Sequence, residues 1–308
     1  MRFWKIFYYG VIFAGLFDSS FMNQNSFFVQ PNFDKILSMK QIIILIILTT
    51  TLSLFARSNI PRGLYNNGVS DRVLIKKHIP YGIDMSKAKY QCDQTLANIA
   101  YVSCFNHKTN TPLWSSYTIT AKEVAGHSKR YRYFLYDKRV PKRHRVKPTD
   151  YKGSHYDRGH LCPNAIADGN NLKKQAQTFL MTNIAAQVGR GFNRDSWRYL
   201  EKQIRKWVKK RGKLNIVTGV WFDDNPKQIG KRKQPKIAVP DYWYKIIYDP
   251  KRNESIAFWM PNKRYSSKNA WKRYKTTIDD IEKKTGIDFY SDLQNSKQRV
   301  MEKKVAKF

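Results

Sequence analysis

Tyr156-Asp157-Arg158-Gly159-His160-Leu161-Cys162-Pro163-Asn164 opens a stretch that runs on through Thr182-Asn183-Ile184 to Asn193-Arg194-Asp195-Ser196-Trp197-Arg198-Tyr199-Leu200-Glu201. One short span thus carries an imidazole, a guanidinium, a lone amide and a carboxylate, the groups needed to hydrolyse a phosphodiester with one hard metal ion. Imidazole titrates in the working pH range, which makes His160 the candidate general base, worth about 10²- to 10⁴-fold. The remaining histidines, His78, His107, His127, His144 and His155, have no comparable neighbours. Arg158 suits a bidentate contact to a non-bridging phosphate oxygen, with Asp157 behind it, and Gly159 reads as a sharp turn beside the base.

Downstream, Trp197, Leu200, Ile204, Trp207 and Val208 recur at helical spacing, which predicts a helix over Asn193–Lys210 that stops at Gly212. Asn193, Trp197, Glu201 and Arg205 then fall four apart on one slowly drifting face. Asn193 and Glu201 are separated by about 12 Å of helical rise, too far for both to bind one ion directly. A single amide oxygen with several waters suits Mg²⁺, with Mn²⁺ as a substitute, so Asn193 is the expected metal ligand. Glu201 is the expected outer group holding one of the ion's waters. An ordinary Glu201–Arg205 helix pair worth about 0.3 kcal/mol could coexist with that role. Trp197 reads as core, and Asn183 as a backing or phosphate-contacting residue.

Working outward, residues 95–105 and 113–120 are rich in β-formers around a turn-like segment, predicting a hairpin. Arg130–Tyr136, Thr178–Ile184, Lys213–Phe222, Tyr242–Tyr248 and Ser255–Asn262 supply further strands. Asn171–Phe179 and Thr276–Gly286 supply helices, the second with its glycine stop. The fold class is α+β, a mixed, mainly antiparallel central sheet flanked by helices. Residues 57–90 read as an irregular arm, 91–296 as the functional domain and 297–308 as a frayed basic tail. The run Lys138–Lys147 is either a phosphate-contacting loop or a solvated surface.

Lys and Arg number 57 against 23 acidic residues, for a net charge of +34 spread over the whole chain. Such a field attracts polyanions, nucleic acid foremost. A membrane-active cation is excluded because no basic helix has a broad apolar face. The apolar run Ile42–Ala56 follows Met39-Lys40-Gln41, the pattern of a leader starting at Met39 and cleaved near Ala56, and it is too short to span a bilayer. Residues 1–56 are therefore an expected extension, and the expected destination is the periplasm or the exterior. In such a compartment Cys92 and Cys104 could close a loop worth about 3 kcal/mol, with Cys162 left over. Spacing alone leaves the bridge open, and the absence of a C-x-x-C pair argues against zinc.

The ordered set Asp157-Arg158-Gly159-His160, Thr178-Phe179 with Thr182-Asn183-Ile184, and Phe192-Asn193-Arg194 with Trp197 and Glu201 resembles the DNA/RNA non-specific endonuclease family. These are relatives of endonuclease G with a ββα-metal (His-Me finger) active site. Val217-Thr218-Gly219, Val239–Lys245 and Phe258–Asn262 resemble the family's later blocks, so the likeness runs from about Tyr81 to Leu293. Ala186 stands where many relatives have proline, and Cys162 replaces a small residue. The resemblance implies cleavage of DNA and RNA to 5′-phosphates, with the same roles for His160, Asn193 and Glu201. The rival reading is a non-catalytic nucleic-acid-binding or DNA-uptake protein on the same fold; it accounts for the charge but not for the joint presence of those three residues.

Overall fold

The computed structural model describes residues 60–126, 130–167, 169–231 and 235–308. The chain divides into two units, Met1–Ala56 and Arg57–Phe308, and the second is compact. The first lies outside the described residues, and the expected leader, its start at Met39 and its cleavage site lie there with it.

Seven antiparallel strands form the central sheet, in the order β12-β11-β10-β7-β4-β3-β2. They are β2 (Gln94–Ala97), β3 (Val102–Asn106), β4 (Thr111–Thr120), β7 (Lys213–Trp221), β10 (Tyr242–Asp249), β11 (Glu254–Pro261) and β12 (Lys275–Thr276). The middle strands β4, β7 and β10 are buried along nearly their whole length, so both faces of the sheet are covered. That double burial explains why they read as continuous β-branched and aromatic runs rather than as alternating ones.

Helix α4 (Arg198–Arg211) buries Leu200, Ile204, Trp207 and Val208 in the main core, the stripe expected from spacing, each worth roughly 1.5–3 kcal/mol. It ends at Gly212, whose φ of 86° suits glycine. Its N-terminal extension, Gly189–Trp197, has wide, irregular turns and carries Asn193. The other helices are α1 (Asp71–His78), α2 (Ala121–Val124), α3 (Leu172–Thr178), α5 (Ile278–Thr285) and α6 (Asn295–Glu302). Three two-stranded ribbons complete the fold: β1 (Ile83–Asp84) with β13 (Asp288–Phe289), β5 (Tyr156–His160) with β6 (Ile184–Val188), and β8 (Gln228–Ile229) with β9 (Ile237–Ala238). The α+β class and the mainly antiparallel sheet stand as expected.

Several local expectations fail. The arm 57–90 contains α1, which docks through His78: its Nδ1 accepts from the Thr118 backbone at 3.1 Å, so Nε2 carries the proton and donates to the Ile99 carbonyl at 3.0 Å. Only Leu74 and His78 of α1 are buried, too few to leave a periodic signal. Arg130–Tyr136 is not a strand but makes one parallel bridge, Leu135 to Leu180. Tyr131 and Phe134 are held there by edge contacts to Phe179, so aromatic packing replaces a hydrogen-bonded ladder. Thr178–Ile184 is the end of α3 followed by a short 3₁₀ turn, Met181–Asn183, rather than a strand. In the basic run, Arg139 pairs with buried Asp137 and donates to the Ala97 carbonyl, Arg145 caps the Val140 carbonyl, and Val140 and Val146 are buried. Lys138, Lys142, Arg143 and Lys147 are exposed, so the run is the solvated surface of its two expected readings, with Arg139 and Arg145 tied into the scaffold. The tail is ordered too: Met301 is buried, and the Phe308 ring packs 5.4 Å from Trp207.

Cys92 and Cys104 form a disulfide with Cα atoms 5.2 Å apart, and Cys162 is a buried free thiol. Among the described residues no helix is long and apolar enough to cross a membrane.

Candidate active site

The β5–β6 ribbon pairs Arg158 with Ala186 and His160 with Ile184. Strand alternation puts Arg158 and His160 on one face, and both rest on Phe134: the guanidinium lies 4.4 Å from the ring centroid, the imidazole 5.4 Å. Phe179 closes the other side of the imidazole at 4.8 Å. Gly159 points the opposite way. It is not a turn, as expected from sequence, but a close-approach position: a Cβ there would run into Gln187 and into Trp243 at 2.9 Å.

Across the ribbon, the irregular segment 189–197 brings in Asn193 and Arg194. Both reach Asp157, Asn193 Nδ2 donating at 2.9 Å, Arg194 Nε at 2.8 Å and its NH2 at 2.5 Å. Burial would raise the Asp157 carboxyl, but these hydrogen bonds and the nearby Arg158 outweigh it and hold the group below its ordinary range. With its amide nitrogen committed to Asp157, Asn193 has its oxygen free to turn to another ligand.

These residues meet in a single cavity of about 670 Å³, lined by Asp157, Arg158, His160, Asn193, Glu201 and Arg205 together with Arg130, Phe134, Pro163, Asn164, Ala165, Arg194 and Arg198. Five arginines make its wall strongly cationic. His160 Nε2 is buried without a partner, and burial, with help from Arg130 and Arg158, lowers the imidazole pKa to about 3. The ring is therefore neutral at neutral pH. Burial raises the Glu201 carboxyl, opposed by the charges of Lys245, Arg205 and Arg130. No ion pair joins Glu201 to Arg205 among the described residues, so the alternative of an ordinary helix pair is not met.

Of its two expected roles, Asn183 takes the backing one and not the phosphate contact. It is fully buried, accepts from Ser115 Oγ at 3.0 Å and the Cys162 backbone at 2.9 Å, and donates to the carbonyls of Cys162 and Thr178. All four partners belong to this chain, so it cannot touch phosphate; it pins the chain two residues beyond His160 to strand β4.

Sequence reasoning missed Lys245, Arg130 and Phe134. Lys245 is fully buried under the site, donating to Thr218 Oγ1 at 2.6 Å and lying 4.7 Å over the Trp197 ring. Burial pulls its pKa down to about 8, with the Glu201 charge opposing. A lone lysine inside the apolar run Tyr242–Tyr248 was the available signal. Arg130 and Phe134 left none, because their role comes from a non-repetitive segment folded over His160.

A ribbon carrying the imidazole and a helical segment carrying the amide, both opening on one arginine-lined cavity, define a metal-assisted nuclease of the ββα class. Residues 83–296 match the model of the DNA/RNA non-specific endonuclease family, and the chain belongs to that family. It is 29% identical over 239 residues to "Nuclease 1, mitochondrial" of Schizosaccharomyces pombe, covering 72% of each chain. It is 32% identical to "Mitochondrial nuclease" of Saccharomyces cerevisiae, covering 67% of this chain and 68% of the other. Among solved structures, the EndoG/EndoGI complex contains a chain matched at a TM-score of 0.64 and 25% identity, over 74% of this chain and 95% of that one. The protein is thus a DNA/RNA endonuclease of a metal-dependent family, acting on nucleic acid. The expected periplasmic or secreted destination is overturned: relatives that the chain matches are named mitochondrial nucleases. The flaw was physical, since a short apolar run behind one lysine does not specify which membrane system reads it.

Proposed function

We propose that this nuclease hydrolyses DNA and RNA alike with water as nucleophile, His160 as general base and Mg²⁺ at Asn193, leaving 5′-phosphates. The observation that carries this reading is that the His160 ring and the Asn193 amide, from separate segments, open on the same cavity as Arg158. Because Nε2 of His160 is shut into the protein, Nδ1 is the nitrogen left to take a proton from water in the cavity. The water oxygen bonds to phosphorus, its proton passes to His160, and the bond from phosphorus to the 3′ oxygen breaks, so the phosphate stays on the 5′ side. Arg158 stabilises charge gathering on the non-bridging oxygens.

The donor set fits a hydrated hard cation: one amide oxygen freed by the Asn193–Asp157 hydrogen bond, a nearby Glu201 carboxylate, and no thiol or second imidazole. Mg²⁺ held there, with Mn²⁺ as a substitute, would neutralise charge on the phosphate and the departing oxygen. Asp157 fixes the amide so that its oxygen is presented, Glu201 orders water on the same side, and Arg205 and Arg194 draw the backbone in. No 2′-hydroxyl takes part, so RNA offers no advantage over DNA. The arginine wall favours backbone over bases, which supports weak sequence preference and strong inhibition by salt.

His160→Ala should lower plasmid cleavage by about 10²- to 10⁴-fold while leaving DNA binding intact. Cleavage at the wild-type rate by that variant would remove the assignment. EDTA should stop the reaction, and Asn193→Ala should mimic EDTA in the presence of Mg²⁺.

A further inference from the structure

Far from the arginine wall in character, Asp279, Glu282 and Glu302 each bring a carboxylate oxygen within 4.8 Å of the others. Asp279 and Glu282 lie one turn apart on α5, and Glu302 is the last residue of α6, past residue 296 where the family match ends. In a chain with 57 basic residues, none of those described forms an ion pair with any of the three.

Two buried oxygens in the same corner have no partner among the described residues. Glu302 is 6% exposed and its Oε1 is unsatisfied; Tyr290 is 2% exposed and its hydroxyl is unsatisfied. The charges of Glu302 and Glu282 both act on that hydroxyl, and Tyr290 directly follows Phe289, whose backbone N–H donates to Glu282 Oε1. Glu282 Oε1 already accepts from the Phe289 backbone at 2.8 Å, so one of its oxygens is fixed and the other is left over. Buried polar atoms without partners are rare, and two converging on a carboxylate cluster call for a ligand that accepts oxygen donors.

We propose that this corner is an all-oxygen cation site suited to Ca²⁺, which clips the C-terminal helix α6 onto α5. Ca²⁺ takes six to eight oxygens in flexible geometry and so suits an irregular set of carboxylates, whereas Mg²⁺ demands a near-ideal octahedron and gives up water reluctantly. Asp279, Glu282 and Glu302 supply the charge and water completes the shell. The clip bears on the catalytic helix indirectly, because the chain after Glu302 returns to α4: Arg211 donates to the Lys307 carbonyl at 2.7 Å and lies 3.9 Å over the Phe308 ring.

The test uses the full chain carrying Asn193→Ala, which silences the active-site amide, and follows tryptic cutting at Lys303 and Lys304 with Ca²⁺, Mg²⁺ or EDTA. Millimolar Ca²⁺ should slow cutting about tenfold relative to EDTA, and Mg²⁺ should do much less. Glu302→Gln should lose the protection, and Asp279→Asn, at a half-exposed position, should lose it without threatening the fold. In an otherwise wild-type chain both substitutions should leave the Mg²⁺-supported cleavage rate unchanged. The proposal is overturned if Ca²⁺ gives no protection, if Mg²⁺ protects as well, or if both variants are protected like the parent. It is equally overturned if both variants resist trypsin better than the parent in EDTA while Ca²⁺ changes nothing, since the carboxyls would then simply share protons.

Discussion

The cavity around His160 and the acidic corner around Glu302 hold the same kind of group in opposite surroundings. In the cavity every carboxylate is answered by a cation: Asp157 by Arg194, and Glu201 by Lys245, Arg205 and Arg130. In the corner the carboxylates have one another, a phenol and the neutral Gln298 amide as neighbours, and no ion-pair partner among the described residues. Net charge says nothing about this, because a charge of +34 is an average over the surface whereas a buried carboxylate responds to neighbours within a few ångströms. The lesson is that the cavity is complete in protein groups except where substrate and its ion enter, while the corner is left short of positive charge by the protein alone.

The sharpest way to break this contrast is to remove the cavity's buried cation. Lys245→Met should destabilise the protein by about 1–3 kcal/mol by thermal or denaturant unfolding, because Glu201 loses the first of its three compensating charges and keeps only those of Arg205 and Arg130. Adding Glu201→Gln should recover part of that loss, and a double variant no better than Lys245→Met would show that Lys245 acts through Thr218 and Trp197 instead. A smaller effect is expected at Asp157. Asp157→Asn keeps the shape but weakens the hold on Asn193 and Arg194, so activity should fall about 10- to 100-fold and more added metal should be needed to restore it. An unchanged metal requirement would uncouple Asp157 from the amide.

The mildest test is acidification. His78 and His160 are each lowered to about 3 by burial, against about 6.5 when unfolded. Below pH 6.5 the unfolded chain therefore binds more protons, so stability is full above that pH and falls on acidification, by about 1.4 kcal/mol per pH unit per histidine. His160→Gln should make the acid limb of a stability–pH curve shallower. A limb of unchanged slope would place the loss in His78 and the carboxylates.

Sequence patterning was read correctly where one residue's environment is set by its own helix or strand. The stripe Leu200, Ile204, Trp207, Val208 and the long strands β7 and β10 are of this kind, because burial of a periodic face is written locally. The site followed only in part: Asn193, Glu201 and Arg205 open on one cavity as their four-residue spacing implies, whereas the strand that puts Arg158 and His160 on one face was not read from the sequence. Gly159 was misread, and Asn183 and the run 138–147 were left with two readings each, for a common reason: a glycine can serve close approach or a turn, an amide can bind phosphate or four chain atoms, and an arginine can face solvent or a carbonyl, and nothing in the neighbouring residues distinguishes these.

By itself, then, the sequence determined the class of fold, the family and the chemical groups available for cutting a phosphodiester, all of which depend on periodicity and residue type. Only the tertiary structure decided which groups meet. It brought Phe134 and Arg130 over His160, set Lys245 beneath Glu201, turned Asn183 inward and drew three carboxylates together at the end of α6. Those outcomes depend on segments distant along the chain competing for the same space, and the strength of a charge or a hydrogen bond is fixed by the distance and burial that result.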